Sequence, residues 1–190
     1  MKKILEQELS CHLDTAKKMD QLIPQIIDLS EIMLQVFKKN NKILICGNGG
    51  SAADSQHFAA ELTGRYKRER RGLGAIALST DTSALTAIGN DYGYEYVFLR
   101  QVEALANQGD IFFGISTSGH SKNIILAMKE AKKRGCITVA LGGRDGGEMA
   151  QIADFSLVVP SQDTPRIQEM HIFIIHCLCE IVERRIVDLS

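Results

Sequence analysis

The chain opens with two stretches whose apolar residues recur three and four apart, and changes character after residue 41. Residues 3–20 and 24–40 each carry the stripe of an amphipathic helix. Pro24 is tolerated in the first turn of the second, where its missing N–H costs no helical bond. Beyond them, short apolar runs at 42–46, 73–78, 110–115, 136–141 and 155–159 read as strands. Helical patterns fill the gaps at 51–63, 82–88, 93–106 and 121–134, with a short one near 146–152 and a long final one from about 166 to 187. Strands alternating with helices predict an α/β fold: a three-layer, doubly wound, five-stranded parallel sheet with an N-terminal helical pair. The usual strand order of such a sheet is 2-1-3-4-5, with the ligand crevice at the C-terminal ends of strands 1 and 3. Without repeats or a Pro/Ser-rich linker, residues 1–190 read as a single domain, 1–40 forming the helical pair and 41–190 the α/β core and last helix.

Composition removes several function classes. Lys and Arg number 22 against 23 Asp and Glu, a net charge of −1 that draws the chain neither to nucleic acid nor to an anionic membrane. No apolar run approaches the ~20 residues of a membrane span. Met1-Lys2-Lys3 could begin a signal peptide, but Glu6 and Glu8 interrupt the apolar stretch that should follow. The five cysteines are odd in number and scattered, and Cys177 and Cys179 point to different sides of a predicted helix. They read as reduced thiols filling apolar space in a cytoplasmic protein.

The two most unusual loops follow strands 1 and 3, where the crevice is expected. Gly47-Asn48-Gly49-Gly50-Ser51-Ala52 lets the backbone turn sharply, and the helix behind it offers free N–H groups and a positive dipole end to an anion. It fits the dinucleotide pattern G-x-G-x-x-A, but the acidic residue that should follow, Asp81, lies far too late in the chain. No Lys-Ser/Thr follows the glycines, so the nucleotide P-loop pattern fails and no nucleotide cofactor is expected. The second loop, Ser116-Thr117-Ser118-Gly119-His120-Ser121, packs four hydroxyls ahead of another helix. Hydroxyls and amides without fixed cations suit the single phosphate of a sugar phosphate better than a triphosphate. Ser118 or Ser121 could merely cap the helix that follows.

These loops, as "GNGGSAADSQH" and "STSGHS", resemble the sugar isomerase (SIS) family. "HFAAELTGRY", "IGNDYGYEYVF" and "TPRIQEMHIFIIH" narrow the resemblance to its phosphoheptose isomerases, over essentially the whole chain. That resemblance implies an aldose–ketose isomerase converting sedoheptulose 7-phosphate to D-glycero-D-manno-heptose 7-phosphate through an enediol, the first step toward activated heptose for lipopolysaccharide or capsule. It implies a homotetramer with sites at subunit interfaces, contacts made by residues 1–40 and the last helix, and one Zn²⁺ per subunit. Substrate-binding residues carried over by the resemblance are Asn48, Gly49, Gly50, Ser51, Glu61, Arg65, Asn90, Asp91, Ser116, Thr117, Ser118, Ser121 and Gln168. The family usually has Asn where His120 stands, so His120 receives no role. Asn90-Asp91 alone reads as a turn before Gly93, and residues 67–71 as a solvated basic loop.

His57 and Glu61 lie four residues apart on one face of the helix that leaves the first loop. His176 sits in "IFIIHCLCEIV", so apolar a run that a buried imidazole there needs a partner. The resemblance matches Glu61 and His176 to the family's acid–base pair, and His57, Glu61, Gln168 and His176 to its zinc ligands. Gln168 and His176 are about 12 Å apart along a continuous helix, whereas zinc–ligand bonds are ~2.0–2.2 Å. One ion joining both needs strongly converging side chains or a second chain. His171 points elsewhere and is left out. Related SIS tetramers recruit a replication initiator, and others sense sugar phosphates. Such binding proteins could keep the serine loops but have no need of Glu61 with His176.

Overall fold

A computed structural model describes residues 1–188, so the last two positions of the expected 1–190 domain lie outside the described residues. The five strands are β1 (Ile43–Gly47), β2 (Ala75–Ala77), β3 (Ile111–Ser116), β4 (Ile137–Gly143) and β5 (Phe155–Val159). They form one parallel sheet in the order β2-β1-β3-β4-β5. The expected order therefore holds. Strand 2 is shorter than its apolar run 73–78 suggests, because the ladder with β1 runs over 75–77 while the Leu73 N–H turns to the Leu62 carbonyl.

Alternate side chains of the central strands enter two separate cores. Ile43, Ile45, Ile111, Phe113, Val139 and Leu141 face one side, where they pack with α2 (Ile23–Lys38), α3 (Gly50–Thr63) and α8 (Thr164–Val187). Leu44, Cys46, Phe112 and Ala140 face the other, against α5 (Leu99–Leu105), α6 (Lys122–Lys133) and α7 (Gly147–Ile152). Burial on both faces explains why these strands read as unbroken apolar runs. Helix α1 (Lys2–Lys17) stands apart: Thr15 is its one buried residue, while Ile4, Leu5, Leu9 and Leu13 are exposed.

Three element expectations need correction. Helix 3–20 ends at Lys17 and passes through a 3-10 turn, Lys18–Leu22, directly into α2. Helix α4 spans Thr82–Tyr92, beyond the expected 82–88, so Asn90 and Asp91 sit in its last turn and not in a loop. It stops at Gly93, whose φ of 96° is left-handed. The expected helix 93–106 is instead a 3-10 turn, Tyr94–Tyr96, followed by α5. Among the described residues no helix is long and apolar enough to cross a membrane.

Candidate active site

The crevice at the C-terminal ends of β1 and β3 is bounded by the two glycine–serine loops. Gly47 allows α3 to start directly behind it, since a Cβ there would stand 2.5 Å from the Ser51 carbonyl oxygen. The serine loop leans on the turn after β4: a Cβ on Gly119 (φ 68°) would be 2.0 Å from the Gly146 oxygen. Glycine is thus required there by both backbone and space.

The hydroxyls of the second loop converge. Ser116 Oγ lies 3.0 Å from Ser121 Oγ and 3.4 Å from Ser118 Oγ. Ser116 Oγ accepts from the Gly119 N–H, and Ser118 Oγ from the His120 N–H. Ser121 occupies the cap position of α6 but makes no side-chain cap bond, so capping does not explain it. Ser51 is buried, and among the described residues its hydroxyl has no partner. Thr117 lies half-buried in the same loop. Gly49, at φ 57°, and Gly50 are exposed at the head of α3.

Asn48 joins the two loops. It exchanges amide hydrogen bonds with buried Asn123 at 2.9 and 3.0 Å, and its Oδ1 also accepts from Tyr94. These residues, with Glu95, Ser121 and Lys122, line a cleft of about 390 Å³. Lys122 therefore brings a cation to the rim of the hydroxyl cage, held by Glu95 at 2.6 Å. Sequence reasoning missed Asn123, Tyr94 and Lys122. Lys122 and Asn123 directly follow the serine loop, and that adjacency was the available signal.

The second group of predicted residues meets around His176. His57 Nε2 is 3.0 Å from His176 Nε2 and 3.4 Å from Glu61 Oε1. The His176 ring lies between two others: His57 meets it edge-on at 5.2 Å, and Tyr66 lies over it at 5.6 Å and 31°. Burial and neighbouring His57 push the His176 imidazole down from its ordinary pKa, against the pull of Glu61. A neutral imidazole can take a proton or ligate a metal. His171, one turn and a half earlier on α8, is fully buried and bonded to the Gly142 carbonyl, and burial pushes it down to about 4.

Gln168 makes no hydrogen bond to these three residues. Its amide donates to both oxygens of buried Asp54, at 2.8 and 2.9 Å, and its Cγ lies beside Gly50. Its side chain is thus held against the first turns of α3. Burial raises the Asp54 carboxyl, opposed by the Gln168 hydrogen bond and by His57. Asn90 and Asp91 are exposed and bonded to each other, and Arg65 is exposed without a partner among the described residues. The solvated reading of 67–71 fails for Arg70, whose guanidinium is buried and donates to the Glu61, Leu62 and Gly64 carbonyls.

Among the described residues no three His, Cys, Asp or Glu side chains are grouped so as to hold a metal ion. The pairwise spacing is nonetheless suited to zinc: tetrahedral ligands at ~2.0–2.2 Å stand about 3.3 Å apart, against 3.0 and 3.4 Å between the His57–His176 and His57–Glu61 donors. Two imidazole nitrogens and a carboxylate are accepted zinc donors.

The SIS domain family model matches residues 12–143. A phosphoheptose isomerase of Helicobacter hepaticus is 60% identical over 96% of this chain and 93% of its own length. The solved phosphoheptose isomerase GmhA of Neisseria gonorrhoeae superposes with a TM-score of 0.92 at 46% identity, covering 96% of this chain and 98% of that one. A phosphoheptose isomerase structure from Francisella tularensis gives 0.93 at 35% identity, over 96% and 97%.

Proposed function

Because the chain belongs to the SIS domain family, and within it to the phosphoheptose isomerases, we propose that its crevice carries out their reaction as follows. The protein is an aldose–ketose isomerase acting on sedoheptulose 7-phosphate. The observation that carries the site assignment is the meeting of Glu61, His57 and His176 on a face continued from the helix that starts at the phosphate loop.

The two loops hold the phosphate. Ser116, Ser118 and Ser121 offer hydroxyls, Ser51 and the α3 N-terminus add donors, and Asn48 sets the distance between the loops. With the phosphate fixed, the sugar chain runs toward Glu61 and His176. One of the pair takes a proton from carbon 1 of the ketose while the carbonyl oxygen on carbon 2 gains one, giving the enediol. The O1 proton then leaves and carbon 2 is protonated, giving the aldose with no net change in atoms or charge. His57 and Tyr66 fix the plane of the His176 ring, so its lone pair arrives oriented.

Zinc held by His57, Glu61 and His176, with Gln168 as the further donor named by the resemblance, would polarise the sugar oxygens when bound. Metal analysis of protein purified without chelator tests this, and metal-free protein with chelator-resistant activity would reject it. We also propose a cytoplasmic homotetramer. The five free cysteines and the exposed apolar face of α1 support that reading. Mixing Glu61→Gln and His176→Gln proteins tests the origin of the pair: the two meet through His57 within one chain, so no activity should return after subunit exchange, and restored activity would mean that the pair is drawn from two chains. Incubation with sedoheptulose 7-phosphate, with appearance of the aldose, tests the reaction itself. An inert wild-type protein would return the choice to the initiator-binding and sugar-sensing readings.

A further inference from the structure

Glu183 lies in the last third of α8, in the charged run "EIVERR", and has no place in the reaction as described. Such a residue ordinarily faces water. Here its carboxylate is 1% exposed, and both oxygens are engaged by one loop. Oε2 accepts from the Tyr66 N–H at 2.8 Å and stands 3.4 Å from Arg70 Nε. Oε1 accepts from the Lys67 and Arg68 N–H groups at 2.7 and 2.6 Å. Burial alone would raise the carboxyl's pKa, but these donors and Arg70 hold it below its ordinary value. Three successive backbone amides closing on one buried carboxylate fix the path of the chain in a segment that has no helix or strand of its own.

That segment touches both members of the acid–base pair. At one end, Tyr66 lays its ring on His176. At the other, Arg70 turns back and donates to the Glu61 carbonyl at 2.7 Å, with further bonds to Leu62 and Gly64, closing the C-terminal turn of α3. We infer that Glu183 is a positioning residue for the isomerase: it clamps residues 66–70, and through that loop it sets Tyr66 against His176 and Arg70 against the helix end that carries Glu61. The inference rests on the isomerase reading for its kinetic part and on geometry alone for the clamp.

A misplacement of about 1 Å in reacting groups costs about 10²-fold in rate. Glu183→Gln leaves the side chain's size but turns an NH₂ toward backbone N–H donors. We expect it to lower kcat by about 10²-fold while KM for sedoheptulose 7-phosphate moves by less than about 3-fold, because the serine loops are untouched. Tyr66→Ala should lower kcat by about 10-fold and Tyr66→Phe should restore it, since the ring and not the hydroxyl packs on His176. Combined with Tyr66→Ala, Glu183→Gln should cost less than it does alone, as residues acting through one contact are not additive. Wild-type kcat in Tyr66→Ala, damage in Tyr66→Phe equal to that in Tyr66→Ala, or full additivity in the double variant would overturn the inference. So would a folded Glu183→Gln with wild-type kcat. A Glu183→Gln protein that does not fold leaves the decision with the two Tyr66 variants.

A readout independent of turnover separates this inference from the isomerase reading. The chain contains no tryptophan, so Tyr66→Trp reports on the loop alone. Glu183→Gln in that background should raise acrylamide quenching of the tryptophan. Unchanged quenching overturns the clamp whether or not the protein isomerises a sugar, whereas quenching that rises in a protein inert toward sedoheptulose 7-phosphate keeps the clamp and removes the reaction.

Discussion

The two ends of the crevice are built on different principles. At the phosphate end the hydroxyl cage is assembled from neighbours in sequence: Ser116, Ser118 and Ser121 meet within six residues, and the Asn48–Asn123 pair ties that loop to the first. The acid–base end is assembled from distant parts: His57 and His176 are 119 positions apart, and Glu183 reaches Tyr66 across 117. A locally built cage keeps its hydroxyls together whenever its own loop is intact. A site built across the fold depends on every element that holds its parts in register.

The largest effect expected from breaking that contrast is at the acid–base end. General acid–base groups contribute ~10²–10⁴-fold, so Glu61→Gln and His176→Gln should each lower kcat by about that factor. KM should change little, because the phosphate cage is separate. Steady-state kinetics on both variants checks this, and near-wild-type kcat in both would remove the pair from the chemistry.

Next comes a comparison within α8, between a histidine that works and one that only packs. His171 has its pKa pushed down to about 4 in the fold, against an ordinary value near 6.5. Between those values the unfolded chain binds more protons than the folded one. Stability is therefore full above about pH 6.5 and falls as pH drops toward 4, by up to about 3 kcal/mol. Urea unfolding at a series of pH values should show the loss, and His171→Gln should flatten it, whereas a slope equally steep in the variant would assign it elsewhere.

The smallest effect belongs to the phosphate end, taken one hydroxyl at a time. A hydrogen bond to a charged group is worth ~1.5–3 kcal/mol, so Ser116→Ala and Ser121→Ala should raise KM about 10- to 150-fold with kcat retained. Wild-type KM in both variants would place the phosphate elsewhere.

The same contrast explains what could be read in advance. The sheet and its order were legible because strands covered on both faces, such as 111–115, must be apolar throughout. The serine loop was legible because its residues are adjacent. The 3-10 break at Tyr94–Tyr96 was not, since nothing in "YEYVFLRQV" departs from a helical stripe. The pairing of Gln168 with Asp54 was hidden for another reason: Asp54 sits on a helix whose periodicity reads as polar there, yet α8 crosses it and buries it. Arg70 read as a surface charge, and it is its meeting with Glu183 in three dimensions that takes both out of water.

Helix α1 carries a thermodynamic consequence. It is tied to α8 chiefly by polar contacts, His12 to Glu169 and Arg166 to the Glu8 carbonyl, while Ile4, Leu5, Leu9 and Leu13 remain in solvent. Apolar area of that kind stabilises the fold only once another surface removes it from water. If copies of the chain supply that surface, as proposed, mass action enters the melting curve: the midpoint rises with protein concentration. A dilute sample would then lose heat resistance, and Leu5→Glu with Leu9→Glu should make the midpoint lower and indifferent to dilution.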